Sequence, residues 1–298
     1  MQSVVVVRRG RLVGEWYRDP ASAGTVRSIR SVTKSVLSLL IGVAIDRGIF
    51  QGTDELLTST FHPPLPAITG PAAAITLDNL LTMSAGFQWD ESGVTEFDNW
   101  MLAPNQVAYV LARPVATAPG TQWNYDSAAV HLLSAALTSS YDAGTAGFAD
   151  EVLFRPLGIQ QRVWELDHQG IPNGGAGLSL STRDLAKVGV LMLQRGRSGV
   201  TQLVPEAWIL GATAARFRGV GWLDATGSLD YGRLWWLGQV HGTRLLLAWG
   251  YGGQFVAVLP DVDLVVVTTA PFFNLPDAPG QTDGIMSWIA GSVLPAIH

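Results

Sequence analysis

The stretch RSIRSVTKSVLSLLIGVAIDRG, residues 27–48, puts one of the chain's two lysines, Lys34, at the head of an apolar run. Val36, Leu37, Leu39, Leu40, Ile41 and Val43 cover most of a helical circumference, which predicts a buried helix from about Ser31 to Arg47. A cation in the first turn faces the positive end of the helix dipole, which costs a few tenths to about 1 kcal/mol. A capping box would place Glu or Gln where Lys34 stands. Residues three apart share a helical face, so the Ser31 hydroxyl and the Lys34 amine can meet. Burial and nearby positive potential lower a lysine's pKa toward the neutral amine. Such an amine can take the proton of a serine alcohol, which is a weak nucleophile until a base acts on it. The plainer reading is an N-cap serine beside a solvated lysine, and the S-x-x-K spacing alone does not decide between the two.

Working outward, the N-terminus reads as a strand, a turn at Arg8–Arg11 and a second strand through Val13–Tyr17. After the apolar helix comes a Pro/Gly-rich loop, FHPPLPAITGPAAA, and then a short helix capped by Thr76 and ended by Gly86. Further helices are predicted at Asn105–Ala112, from Asp126 or Ser127 onward, at Ala146–Leu153, Thr182–Arg195 and Pro205–Ala212, and at about Gly280–Leu294. The segments RLWWLGQV, TRLLLAWG, QFVAVLP and DLVVVTT read as an antiparallel meander. Strands at both ends and helices between them predict an α+β fold. Residues 1–50 and 230–298 would form a sheet domain and residues 51–229 a mainly helical one, with a cleft between them.

With 298 residues, 48% hydrophobic and 14% charged, the chain can bury a large core and is not disordered. A net charge of -5 without a basic cluster argues against nucleic acid as a partner. The absence of cysteine removes disulfides and thiolate chemistry. His62, His131, His168 and His241 are scattered without ligand spacing, so neither metal nor other cofactor is expected, and His131 reads as a structural histidine. Gly174, Gly175 and Gly177 resemble a phosphate loop only superficially, since no strand feeds them. The opening valines are too short a run for a signal peptide, and no run is long enough to span a bilayer, so cytoplasmic is the default compartment.

A second element is PGTQWNYDS, which puts Tyr125 just ahead of a helix. By itself it reads as a tyrosine packed at a turn. Beside Ser31 and Lys34, a phenol that ionises more easily next to an ammonium could relay a proton between nucleophile and leaving group. Ser31-Val-Thr-Lys34, Tyr125-Asp-Ser127 and the glycine-rich Trp249-Gly-Tyr-Gly-Gly-Gln254 occur in the order of the serine β-lactamase and penicillin-binding protein superfamily. The chain most resembles its class C-like branch, with family VIII-type esterases and 6-aminohexanoate-dimer hydrolases. ITLDNLLTMSAGFQW, FRPLGI, GAGLSLSTRDLAKVGVLML and FVAVLPDVDLVVV extend the resemblance over nearly the whole chain. Family members usually carry a helix before the first strand, so the N-terminus looks clipped and export stays open.

The resemblance implies that Ser31 is the acylated nucleophile, Lys34 its base and Tyr125 the proton shuttle. The backbone N–H groups of Ser31 and Tyr251 would form the oxyanion hole, with Gln254 as the alternative to Tyr251. Substrate contacts would come from Ser127, Trp123, Trp249, Gly250 and Gly252. Two departures bear on substrate. Ser127 stands where the family has Asn, and WGYGG lacks the Lys or His that would meet a substrate carboxylate. Aromatic surface from Trp249, Tyr251, Trp123 and Trp89 favours apolar acyl or alcohol groups instead. The expectation is a carboxylesterase acting on small to medium esters through an acyl-enzyme. The alternatives are an amide hydrolase, on linear ω-amino-acid amides, β-lactams or D-Ala peptides, and an idle relative that only binds a ligand. No G-x-S-x-G elbow occurs, against an α/β-hydrolase.

Overall fold

The computed structural model describes residues 1–297. The chain opens with the hairpin β1 (Ser3–Arg8) and β2 (Arg11–Tyr17), then the short β3 (Arg27–Ser28), then α1 (Val32–Asp46). The region that follows contains α2 (Leu57–Thr60), α3 (Leu77–Leu81), α4 (Val94–Met101), α5 (Gln106–Leu111), α6 (Ser127–Ser140) and α7 (Gly144–Ala149). Next come β4 (Val163–Trp164), β5 (Leu178–Leu180), α8 (Thr182–Leu193), the small hairpin β6 (Arg197–Ser198) and β7 (Thr201–Gln202), and α9 (Glu206–Ala212). The last third holds β8 (Phe217–Leu223), β9 (Gly227–Tyr231), β10 (Trp236–Val240), β11 (Thr243–Gly250), β12 (Gln254–Leu259) and β13 (Leu264–Thr269), closed by α10 (Ala278–Trp288).

One eight-stranded antiparallel sheet runs in the order β2-β1-β13-β12-β11-β10-β9-β8. The two chain ends meet in it through the β1/β13 ladder, with Val5 opposite Val267. Every residue of β12 and β13 is buried. Their unbroken apolar sequences explain this, because a strand covered on both faces needs no polar alternation. Helix α8 packs against β13, β12 and β1, while α1 packs against β11, β12, α6 and α9. All of α1 from Val32 to Ala44 is buried. Its polar residues reach partners outside the helix, Ser35 Oγ donating to Leu234 O at 2.6 Å and Ser38 Oγ to Arg233 O at 2.8 Å.

Two sequence boundaries move. The sheet already begins at Phe217, ahead of position 230, because β8 and β9 pair through Gly- and polar-rich segments that carry little strand signal. Thr76 does cap α3, in a capping box with Asn79, but the helix ends at Leu81 rather than running to Gly86. Gly86 instead adopts φ +87° where a Cβ would sit 2.2 Å from Thr117 O, so it serves a close crossing of two loops. Among the described residues no helix is long and apolar enough to cross a membrane.

Candidate active site

Arg30, with φ +50°, turns the chain sharply into α1. The first turn of the helix closes with short-range bonds, from Thr33 N to Arg30 O and from Lys34 N to Ser31 O, both 3.0 Å. Ser31 stands at the N-cap, yet its side chain makes no capping bond. Its Oγ instead accepts from Lys34 Nζ at 2.8 Å. Lys34 is 1% exposed, and its second acceptor is the Gly175 carbonyl at 2.6 Å. Among the described residues no carboxylate bonds to this amine. Burial brings its pKa down to about 7, with Arg30 pushing the same way and Glu91 and Asp126 opposing. Near neutral pH a large fraction of Lys34 is therefore a free amine aimed at the Ser31 hydroxyl.

Tyr125 also stands beside that hydroxyl, which acts on its phenol, and Lys34 Nζ sits 4.9 Å from the centroid of its ring. The phenol differs from the sequence expectation. Burial raises its pKa well above the ordinary tyrosine value, and Glu91 adds to the rise. The ease of ionisation expected from a neighbouring cation does not appear, because desolvation outweighs the lowering by Ser31 and Arg30. Tyr125 is a proton donor at neutral pH.

The acceptor for Lys34 comes from the glycine loop that looked like a chance resemblance. Asn173 Oδ1 takes the N–H groups of Gly175 and Ala176 at 3.0 and 2.9 Å, which turns the Gly175 carbonyl toward α1. A Cβ on Gly175 would lie 2.7 Å from Ser127 O, so only glycine lets the loop come this close to α6. His131 supports the same loop. Its Nδ1 accepts from Gly174 N at 3.2 Å, which leaves Nε2–H to face Asp167 at 3.1 Å. The structural reading of His131 agrees with this geometry.

Ahead of Ser31 opens a cleft of about 500 Å³ whose walls include Tyr125, Trp123, Trp236, Trp249, Tyr251 and Glu91. The rings of Trp123 and Trp236 are 5.7 Å apart and those of Trp236 and Trp249 5.3 Å, so three indoles form a continuous wall. Strand β11 abuts the segment that carries Ser31. A Cβ on Gly250 would lie 2.5 Å from Ile29 O and 3.2 Å from Arg30 Cβ. That contact brings the start of the WGYGG turn beside Ser31.

The expected substrate contacts divide. Trp123, Trp249 and Tyr251 line the cleft. Gly250 and Gly252 serve the backbone, Gly252 at φ +79° where a Cβ would meet Pro271 O at 3.0 Å. Ser127 is fully buried, its Oγ donating to Glu91 Oε1 at 2.5 Å and its N–H to Glu91 Oε2 at 2.8 Å. Its small side chain is held by Glu91 and does not reach solvent. Trp89 is also buried, and its indole donates to Glu91 Oε2 at 2.9 Å. Gln254 is an internal brace. Its amide bonds Ala270 O and Tyr251 O, and Ala270 N bonds its Oε1. Sequence reasoning missed Glu91, Gly175, Asn173 and Trp236. What they meet at the site, Lys34 for Gly175 and Ser127 for Glu91, is distant in sequence, and only the NGG run at Asn173 hinted at a special backbone.

The match to known proteins follows this geometry. The beta-lactamase family model matches residues 2–284. The chain therefore belongs to the beta-lactamase family and is a hydrolase of that fold. A putative 6-aminohexanoate-dimer hydrolase from Bacillus anthracis superposes with a TM-score of 0.80 at 16% identity, covering 100% of this chain and 79% of that one. The octameric penicillin-binding protein homologue from Pyrococcus abyssi gives 0.74 at 19% identity, over 99% and 72% of the two chains. EstCE1, a hydrolase with promiscuous acyltransferase activity, gives 0.74 at 17% identity, over 97% and 93%. At these identities the structures speak to fold alone. A search of curated proteins finds no match.

Proposed function

We propose that the protein is a serine carboxylesterase that works through an acyl-enzyme on Ser31. The observation that carries this reading is the buried Lys34 amine, 2.8 Å from the Ser31 hydroxyl and, among the described residues, without a carboxylate partner. Lys34 takes the Ser31 proton as Oγ adds to the ester carbonyl. The negative oxygen of the tetrahedral intermediate is held by the backbone N–H groups of Ser31 and Tyr251; one such donor commonly contributes about 10²–10³ in rate. Tyr125 gives its proton to the departing alkoxide and regains one from the Lys34 ammonium. Water then enters, the same groups run in reverse, and the acyl group leaves as the acid with Ser31 restored. Ester substrates are favoured because the cleft offers aromatic surface and no cation for the carboxylate of a penicillin-like acid.

The test is covalent. The folded protein should gain the mass of one fluorophosphonate adduct, mapped by peptide mass spectrometry to Ser31, and should hydrolyse short-chain p-nitrophenyl esters faster than a chromogenic cephalosporin, a D-Ala-D-Ala peptide or a linear ω-amino-acid amide. An unlabelled Ser31 would rule out the nucleophile. Labelling with faster turnover of one of the amides would replace the ester preference.

A further inference from the structure

The lining of the cleft ahead of Ser31 carries charge of one sign, while Arg30 and Lys34 behind it lie within the field of Glu91. The cleft walls carry the carboxylates of Asp90 and Glu91, and no lysine or arginine is among the described residues that line it. Lys34 lies behind Ser31, out of solvent. Arg30, the basic residue next to the nucleophile, is held between two rings, 5.4 Å from the centroid of Phe97 and 5.0 Å from that of Phe272.

Glu91 is oriented for the task of meeting a cation. Three donors hold it: Ser127 N–H and the Trp89 indole on Oε2, and the Ser127 hydroxyl on Oε1. Each of those partners is fixed in the wall, since Ser127 begins α6 and Trp89 is buried. Oε1 accepts only one of the three bonds, which leaves it acceptor capacity. Asp90 adds a second carboxylate at the exposed rim, where its Oδ1 accepts from Ser92 N at 2.9 Å. The indoles of Trp123, Trp236 and Trp249 form part of the same lining. The faces of indole rings attract organic cations, most strongly where water is excluded. Carboxylate and indole thus favour the same kind of ligand, and both disfavour an anion.

We propose that this cleft selects esters or amides carrying an organic cation, an alkylammonium group seated between Glu91 and the indoles while the reacting carbonyl faces Ser31. The inference rests on the hydrolase reading for its chemistry and not for its recognition, so the two can fail separately. It sharpens the aromatic preference above. The apolar surface receives the alkyl groups around the charge, and the carboxylates receive the charge.

Two isosteric pairs test it. The first is choline against 3,3-dimethylbutan-1-ol, titrated into the intact protein and followed by tryptophan fluorescence, a readout independent of turnover. The second is butyrylthiocholine against S-(3,3-dimethylbutyl) thiobutyrate, followed with a thiol reagent; the chain has no cysteine to give a background. The cation should bind at least about tenfold more tightly than its neutral isostere, the factor expected of one partly desolvated cation–π or charge contact. The kcat/KM ratio of the thioesters should show the same preference, and 1 M salt should reduce both. In Glu91→Gln both ratios should fall toward one. If that variant does not fold, Asp90→Asn should lower the ratios in part, and the salt dependence of the unaltered protein decides the rest. Equal binding of choline and its isostere, or tighter binding of the neutral compound, would overturn the proposal. Failure to hydrolyse either thioester, with cation-selective binding intact, would count against the carboxylesterase reading and leave the recognition standing.

Discussion

The two lysines of the chain sit in similar local settings and end in different chemistry. Lys34 lies three residues after Ser31 in the first turn of α1, and Lys187 three residues after Asp184 near the start of α8. Each donates to that partner and to a glycine carbonyl from a distant segment, Gly175 at 2.6 Å for Lys34 and Gly158 at 2.9 Å for Lys187. What differs is water and the charge of the partner. The Lys187 side chain is 39% exposed and pairs with a carboxylate at 2.7 Å. Lys34 is buried against a neutral hydroxyl. Spacing brings a lysine to its neighbour, and desolvation decides whether the result is an ion pair or a base.

The sharpest way to break this contrast is to truncate each lysine in turn. Lys34→Ala should lower kcat/KM for esters by about 10³, within the range for losing a positioned acid–base group, with the circular dichroism of the folded protein retained. Tyr125→Phe should follow at about 10². Near-normal turnover in Lys34→Ala would end the assignment of the base. The next effect is geometric. Gly250→Ala places a methyl against Ile29 O and Arg30 Cβ, so β11 must back away from Ser31. A shift on the order of 1 Å should cost up to about 10² in kcat/KM while fluorophosphonate labelling of Ser31 persists at a reduced rate.

The pH profile sharpens the comparison further. In the proposed mechanism the working form of Lys34 is the amine, so kcat/KM should fall by about tenfold per unit as pH drops below about 7 and level off above it. Asp126 could imitate this limb, because burial raises its carboxyl to about 7 as well. In Asp126→Asn the limb should survive if Lys34 produces it; a flat profile in that variant would transfer it to the carboxyl. The smallest effect belongs to the other lysine. Lys187→Ala should change turnover less than about twofold and stability by no more than about 1 kcal/mol in a denaturant titration, as exposed ion pairs usually do.

Much of this was legible because it is written in local sequence. The apolar circumference of α1 announced a buried helix, and the continuous apolar runs of β12 and β13 announced strands covered on both sides. Ser31 and Lys34 could be singled out because a lysine at the positive end of a buried helix contradicts ordinary helix design, and Tyr125 because its motif follows theirs in the family order. Ser127 shows the limit. Its type and place in the motif suggested a substrate contact, but the carboxylate that holds it comes from Glu91, in a loop with no regular pattern. Tyr125 shows another. The sign of its pKa shift depends on how much water reaches the phenol, and no spacing rule carries that information.

Sequence by itself determined the helices and most of the strands, the meeting of both chain ends in one antiparallel sheet, and the pairing of Ser31 with Lys34 on one helical turn. The helices and the Ser31–Lys34 pairing follow from periodicity and from contacts a few residues apart, and the shared sheet from strand patterns at both chain ends. Tertiary structure alone decided that Lys34 is dry, that Gly175 and not a carboxylate receives its second bond, and that the wall ahead of Ser31 is acidic and aromatic. Those properties depend on which distant segments exclude water from a shared site, and desolvation is a property of the assembled fold.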